Sequence, residues 1–119
     1  KNYMKYIVNN LETREELKEF LQTHENKVVI LKASATWCGP CKRIKDDFYK
    51  LFNAMPDGVT LIELDIDDAD DIASFLKIRK VPTMMNFVEA RPMDIYATAQ
   101  LHEVKQFFEK TKTHLSMSF

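Results

Sequence analysis

The sequence predicts an α/β protein with a single domain, in which helices flank a central mixed β-sheet. Short β-branched apolar runs, typical of strands covered on both faces, alternate with stretches of helical periodicity. A chain of 119 residues with 45% hydrophobic content can bury one core without disulfide staples and is not a disordered chain. We therefore expect one domain over residues 1–119, with a loose tail at about 113–119.

Each predicted element follows from a local pattern. A Thr-x-x-Glu capping box at Thr13–Glu16 begins the first helix. The short link at Glu89–Pro92 favours an antiparallel hairpin late in the chain. In order, the sequence predicts a weak edge strand at 3–8, a helix from Thr13, a strand at 27–33, a helix whose apolar face runs from Ile44 to Met55, a strand at 59–66, a helix at 67–77, strands at 84–88 and 93–97, and a last helix capped by Thr98.

Charge and cysteine usage exclude several classes of function. Seventeen Lys+Arg against eighteen Asp+Glu give a net charge of −1, so no broad basic surface predicts binding to nucleic acid or to a membrane. Two cysteines cannot build a stapled scaffold, and the chain lacks the second ligand pair that a zinc site needs. The acidic run 65–71 lacks the glycine and the glutamate of a calcium loop. We expect no metal.

The beginning of the chain carries no signal-peptide pattern, because no apolar segment opens it. We therefore expect a cytoplasmic protein. The chain starts at Lys1 rather than at methionine, so a removed signal peptide remains compatible with the sequence.

The two cysteines, Cys38 and Cys41, lie three residues apart between a predicted strand and a predicted helix. At a helix N-terminus, free N–H groups and the helix dipole stabilise a thiolate, which is the nucleophile in disulfide exchange. Cys41, less than one turn further on, would be within bonding distance to resolve a mixed disulfide. The alternative is a pair of inert core cysteines. The flanking Trp37, Gly39 and Pro40 favour the redox interpretation.

The segment Trp37-Cys38-Gly39-Pro40-Cys41-Lys42, with Val81-Pro82-Thr83 about forty residues downstream, resembles the thioredoxin family. The resemblance covers about residues 13–112. It implies the thioredoxin fold and an enzyme, a protein thiol–disulfide oxidoreductase that reduces protein disulfides by dithiol exchange. In that family the first cysteine of the motif is the attacking nucleophile and the second is the resolving thiol, which assigns these roles to Cys38 and Cys41.

The resemblance also implies a substrate-contact surface around the cysteines. Pro82 is expected to be a cis-proline facing the disulfide, and Val81 to offer its backbone to an extended substrate peptide. Trp37, Gly39 and Pro40 are expected to form an apolar contact patch. For Trp37 the alternative is core packing, but an aromatic residue directly before the motif favours an exposed position at the rim.

The family resemblance further implies the partners. These are disulfide-containing protein substrates and a thioredoxin-reductase-like electron donor, with no cofactor in the chain, and we expect a monomer. An oxidant or isomerase role is an alternative within the same class. An alternative from another class is a non-catalytic thioredoxin-like binding subunit.

Two positions beneath the motif depart from the family pattern. Thioredoxins generally carry a buried aspartate six residues before the first cysteine, partnered by a lysine on the adjacent strand; these positions hold Lys32 and Glu63 here. Because a lone buried charge is costly, we expect a partly buried ion pair below Cys41. Either residue could relay the proton that Cys41 must lose. The alternative is that Lys32 extends to solvent and Glu63 faces outward.

Positions around the expected substrate groove also depart from the pattern. Lys80 and Thr98 stand where relatives usually have glycine and are expected to narrow the groove. Five basic residues near the motif could form a basic rim, which would favour acidic targets. An ordinary solvated surface explains the same charges equally well. The rim residues are Lys42, Arg43, Lys45, Arg79 and Lys80.

Overall fold

The computed structural model describes residues 5–117, which form one five-stranded sheet with helices on both faces. The predicted fold class is confirmed. No helix within these residues is both long enough and apolar enough to cross a membrane. In chain order the elements are β1 (Tyr6–Val8), α1 (Arg14–Thr23), β2 (Val28–Ser34), α2 (Gly39–Asn53), β3 (Val59–Asp65), α3 (Asp70–Phe75), β4 (Thr83–Val88), β5 (Arg91–Ala97) and α4 (Leu101–Met117).

The strands lie in the spatial order β1-β3-β2-β4-β5. β3 pairs in parallel with both β1 and β2, whereas β4 is antiparallel to β2 and to β5. The sheet is therefore mixed, as predicted. The expected first strand at 3–8 is present from Tyr6; its residues 3 and 4 lie outside the described part of the chain.

Two apolar clusters cover the two faces of the sheet. On one face α2 and α4 pack through Phe48, Phe52 and Phe107, which are fully buried. On the other face Leu17 of α1 and Ile72 of α3 pack on alternate residues of the same strands. Side chains of a strand alternate between faces, so both clusters draw on β2 and β3. This explains why those strands are nearly continuous apolar runs.

The helix beginnings follow from local hydrogen bonds. The predicted capping box is confirmed: the Glu16 amide donates to Thr13 Oγ at 3.2 Å, and the Thr13 amide donates to the Glu16 carboxylate at 3.0 Å. The third helix begins at Asp70, later than predicted. The chain first makes a turn in which the Asp67 amide donates to Asp65 Oδ1 at 2.8 Å, which holds residues 66–69 out of the helix.

The end of the chain corrects the sequence prediction. The expected loose tail at 113–119 is wrong for residues 113–117, which continue α4, while 118 and 119 lie outside the described residues. Leu115 is buried in the core, and His114 Nε2 lies 2.8 Å from Asp94 Oδ2 on β5. These two contacts fasten the last turn of α4 to the sheet.

Candidate active site

Cys38 and Cys41 lie where the chain leaves β2 and enters α2, and they form a disulfide with their Cα atoms 5.3 Å apart. Cys38 is the N-cap residue of α2, and its Sγ accepts a hydrogen bond from the Cys41 amide at 3.2 Å. Pro40 lies in the first turn, where a residue without an amide N–H costs nothing. The helix N-terminus therefore directs a free N–H at the Cys38 sulfur.

An apolar collar surrounds the disulfide. Both cysteines are buried and pack with Ala35, Ile66 and Val81. The Cys38 Sγ lies 3.6 Å from the Val81 carbonyl oxygen, and the Val81–Pro82 peptide bond is cis. A residue just before β4, more than forty positions along the chain, thus presents its backbone directly beside the sulfur.

The surface around the disulfide is open and partly aromatic. Trp37 is 65% exposed, which agrees with a rim position rather than core packing. A Cβ atom built on Gly39 would have no neighbour within 4 Å, and Pro40 is exposed. The Trp37 indole Nε1 donates to Asp67 Oδ2 at 2.9 Å. Sequence reasoning missed Asp67, although its place just after β3 at the same sheet edge as the motif was a usable signal.

Three carboxylates of the run 65–71, those of Asp65, Asp67 and Asp71, accept hydrogen bonds from donors of the chain itself. Besides the bonds of Asp65 and Asp67, the Asp71 carboxylate lies 2.7 Å from the Arg14 guanidinium. That guanidinium donates hydrogen bonds that lower the pKa of Asp71. Within residues 5–117, no three His, Cys, Asp or Glu side chains converge as they would around a metal ion.

Lys32 lines the same cavity as Cys41 but does not pair directly with Glu63. The two residues are register partners on β2 and β3, so their side chains leave the same face of the sheet. Lys32 is only 5% exposed, and its Nζ lies 4.9 Å from the ring centroids of both Phe48 and Tyr49. Among residues 5–117 no salt bridge joins Lys32 to Glu63, so the expected direct ion pair is wrong.

The predicted alternative, in which Lys32 extends to solvent and Glu63 faces outward, is also not what the structure shows. Lys32 is buried rather than extended into solvent, and Glu63 is partly buried. Both line one open cavity of about 560 Å³, and Cys41 lines the same cavity. A buried amine, a carboxylate and the resolving cysteine therefore share one space that opens to solvent.

The surroundings of Lys32 lower its pKa. Burial is the largest cause, because it disfavours the ammonium form; the Glu63 carboxylate opposes this effect, and the nearby Lys45 charge adds to it. Lys32 is therefore more easily converted to the neutral amine than an exposed lysine is. Ring contacts compensate part of the burial cost, since an ammonium over an aromatic face contributes about 0.5–2 kcal/mol.

A five-stranded mixed sheet with a cysteine pair at the N-terminus of its second helix defines a class, the thioredoxin-fold dithiol oxidoreductases. The thioredoxin family model matches residues 8–110, and the chain belongs to the thioredoxin family. The match begins at the last residue of β1, covers β2 to β5 and ends within α4. The cysteine pair is therefore the redox-active pair of a thiol–disulfide oxidoreductase, which confirms the predicted enzyme class.

Relatives agree in sequence and in structure. Thioredoxin of Equus caballus is 31% identical over 99 residues, covering 83% of this chain and 93% of that protein. Thioredoxin of Ophiophagus hannah is 33% identical over 95 residues, covering 80% and 90%. Among solved structures, oxidised mitochondrial thioredoxin 3 of Saccharomyces cerevisiae superposes with a TM-score of 0.76 at 25% identity, covering 87% of this chain and 94% of that one.

Proposed function

We propose that this protein reduces disulfide bonds in protein substrates and is returned to the dithiol form by a thioredoxin-reductase-like electron donor, acting as a monomer. The observation that supports this most directly is the position of Cys38 at the N-cap of α2, beside the Val81 backbone. Family membership supports protein disulfides as substrates and a reductase as partner in general terms.

The reaction divides into two exchanges between sulfur atoms. The Cys38 thiolate attacks one sulfur of the substrate disulfide; a Cys38–substrate disulfide forms, and the other substrate sulfur leaves as a thiolate that takes up a proton. The Cys41 thiolate then attacks the Cys38 sulfur, which releases the second substrate thiolate and leaves the Cys38–Cys41 disulfide. Two electrons have passed from the protein to the substrate.

The N-terminus of α2 favours the first exchange. The Cys41 amide at 3.2 Å from Cys38 Sγ and the partial positive charge of the helix end both stabilise a thiolate there. In the dithiol form the Val81 carbonyl, 3.6 Å away, is within reach of a thiol proton. The nucleophile thus has a donor for its charged form and an acceptor for its neutral form.

The residues around Cys38 supply a place for the substrate chain. Val81 can pair by backbone hydrogen bonds with an extended peptide, while Pro82, joined to it by a cis peptide bond, is buried. Trp37 offers an exposed apolar face held by its bond to Asp67, and the open space over Gly39 and Pro40 admits a substrate backbone. Of the two sulfur atoms, Cys38 Sγ is the one that lies 3.6 Å from the Val81 carbonyl oxygen, which supports Cys38 as the attacking cysteine.

Lys32 is proposed to take the proton that Cys41 must lose before the second exchange. The neutral amine accepts the thiol proton and becomes an ammonium over the Phe48 and Tyr49 rings, while Cys41 becomes a thiolate. The shared cavity supports this transfer, directly or through water, and a lowered pKa increases the fraction of neutral amine. Glu63 limits that fraction and stabilises the ammonium that forms.

Replacing Lys32 with methionine is expected to stabilise the fold while slowing the second exchange. The substitution removes a buried charge but keeps the hydrophobic stem, so we expect the free energy of unfolding to rise by about 1 kcal/mol at pH 7. Loss of a general base is expected to slow resolution about a hundredfold. Urea denaturation and stopped-flow tryptophan fluorescence of Trp37 measure the two effects, with Lys105→Met on the exposed face of α4 as the control.

The pH dependence of the stability gain has a defined sign. Because the pKa of Lys32 is lowered in the fold, the unfolded chain binds the Lys32 proton more tightly, with a pKa near 10.5. The free-energy cost of burying the Lys32 charge is therefore complete below the pKa of Lys32 in the folded protein. It disappears as the pH rises toward the pKa of Lys32 in the unfolded chain. The stability difference between Lys32→Met and wild type should narrow over that interval. Unchanged resolution in Lys32→Met would remove the proton-transfer role.

The proposed function is tested with insulin as the disulfide substrate and dithiothreitol as the terminal reductant. We expect catalytic amounts of the protein to accelerate insulin precipitation well beyond the rate with dithiothreitol alone. The folded state is checked on the same sample by circular dichroism. A folded protein that gives no acceleration would contradict the proposal and favour a thioredoxin-like binding subunit.

A further inference from the structure

An apolar groove lies on the sheet face that α1 and α3 cover, away from α2 and α4. It has a volume of about 360 Å³. Its main apolar walls come from α1, the end of α3 and β4, and Phe75 at its rim is 37% exposed. The wall residues are Leu17, Leu21, Phe75, Leu76, Met85 and Phe87.

The neighbouring edge strand extends this apolar surface. Ile95 of β5 is the register partner of Met85, so its side chain leaves the same face of the sheet as the groove wall. Ile95 is 57% exposed on this face. On the opposite face α4 does cover β5, where the rings of Tyr96 and Phe107 lie 5.7 Å apart. The described chain therefore leaves Ile95 exposed beside the groove, whereas α4 covers the opposite face of β5.

The charged side chains that line the groove have one sign. Lys18 and Lys77 line it, and no acidic side chain does. From Lys77 the chain continues through the exposed Arg79 and Lys80 directly to Val81 at the disulfide. Among residues 5–117, none of these four cations takes part in a salt bridge. A basic segment therefore joins the apolar groove to the active site.

We propose that the groove and the segment 77–80 form a docking surface for protein substrates, and that its occupant is a short amphipathic acidic segment of the substrate. Apolar side chains of that segment would enter the groove, and its carboxylates would face Lys18 and Lys77. This inference rests on the proposed function, since docking here places a substrate disulfide near Cys38. Nucleic acid lacks aliphatic side chains to fill the groove, and a membrane surface would engage protruding rather than recessed apolar groups.

Two synthetic peptides test the docking surface. Both contain the same small disulfide loop and a flexible Gly/Ser linker; one ends in a helix-forming segment of leucine and glutamate, and the other has glutamine in place of every glutamate. We expect kcat/KM for reduction to be about tenfold higher for the acidic peptide at low salt, with the preference shrinking at high salt. Equal kcat/KM values for the two peptides at every salt concentration would overturn the inference.

Paired variants locate the effect. Lys18→Gln combined with Lys77→Asn removes the two groove charges; asparagine suits the positive φ of 59° at Lys77. We expect this variant to reduce the preference for the acidic peptide to about twofold or less. The control, Lys50→Gln with Lys105→Gln, removes two exposed charges from α2 and α4 and should retain the preference.

The outcomes separate this inference from the function on which it rests. If neither peptide is reduced, the proposed function fails. If both are reduced equally, only the docking surface fails. Binding to vesicles of anionic lipid that is lost in Lys18→Gln/Lys77→Asn, together with equal reduction of the two peptides, would assign the surface to a membrane and overturn the proposal of a protein segment.

Discussion

Replacing Cys38 with serine is expected to reduce the rate of insulin reduction to that of dithiothreitol alone. Serine keeps the size and the N-cap hydrogen bond of Cys38, but its hydroxyl cannot form a disulfide. Loss of a catalytic nucleophile lowers turnover by about a thousandfold or more. The assay is the insulin precipitation rate, with circular dichroism as the control for folding.

The matched variant, Cys41→Ser, separates the two cysteine roles. It keeps the nucleophile and removes the resolving thiol, so the reaction should stop at the mixed disulfide. Mass spectrometry under non-reducing conditions is expected to find one substrate peptide attached to Cys38. Turnover by Cys38→Ser would contradict the role of Cys38 as nucleophile. A stable substrate adduct on Cys41 in Cys38→Ser would reverse the two assigned roles.

The second large effect is expected from Phe48→Ala. Phe48 is fully buried between α2 and the sheet, with the Phe108 ring 5.1 Å away and the Lys32 ammonium 4.9 Å from its centroid. Truncating a buried phenylalanine leaves a cavity and costs about 3–5 kcal/mol of the free energy of unfolding. The same change removes one ring that holds the Lys32 ammonium.

Urea denaturation of Phe48→Ala measures this loss. Asp46→Ala, on the exposed side of the same helix, is the control and should change the stability by no more than about 0.5 kcal/mol. A loss below about 1 kcal/mol in Phe48→Ala would show that the core around α2 rearranges to fill the space. That result would contradict the tight packing of Phe48 that holds the Lys32 ammonium over its ring.

Local patterns were sufficient to predict most of the fold. The continuous apolar runs of β2 and β3 arise because both faces of these strands are covered, and a run of that kind is visible without any knowledge of the partners. The capping box at Thr13 and the cysteine spacing are equally local. The family match over residues 8–110 agrees with those predictions.

Features that depend on several distant segments could not be predicted in this way. Register places Lys32 beside Glu63, but a long side chain can turn, and the rings of Phe48 and Tyr49 on α2 provide another position for the ammonium. The last turn of α4 mixes polar residues with Leu115 and Met117, and the contact of its His114 with Asp94 requires β5 to be in place.

The functional surfaces show the same limit. Cys38 and Cys41 were identified from their spacing, whereas the bond between Trp37 and Asp67 needs two separate strand ends to meet. The groove near Phe75 combines α1, α3 and β4, and no single segment of the sequence indicates it. The basic residues at 77–80 were visible, but their position between the groove and the disulfide was not.

The reduction potential of the Cys38–Cys41 pair tests the proposed direction of electron transfer most directly. The protein is equilibrated with glutathione buffers of known ratio, and free thiols are trapped and counted by mass. We expect a potential below about −220 mV, because the chain belongs to a family in which thioredoxin itself has a potential near −270 mV. A potential between about −180 and −120 mV, the range of isomerases and oxidants, would contradict a reducing role.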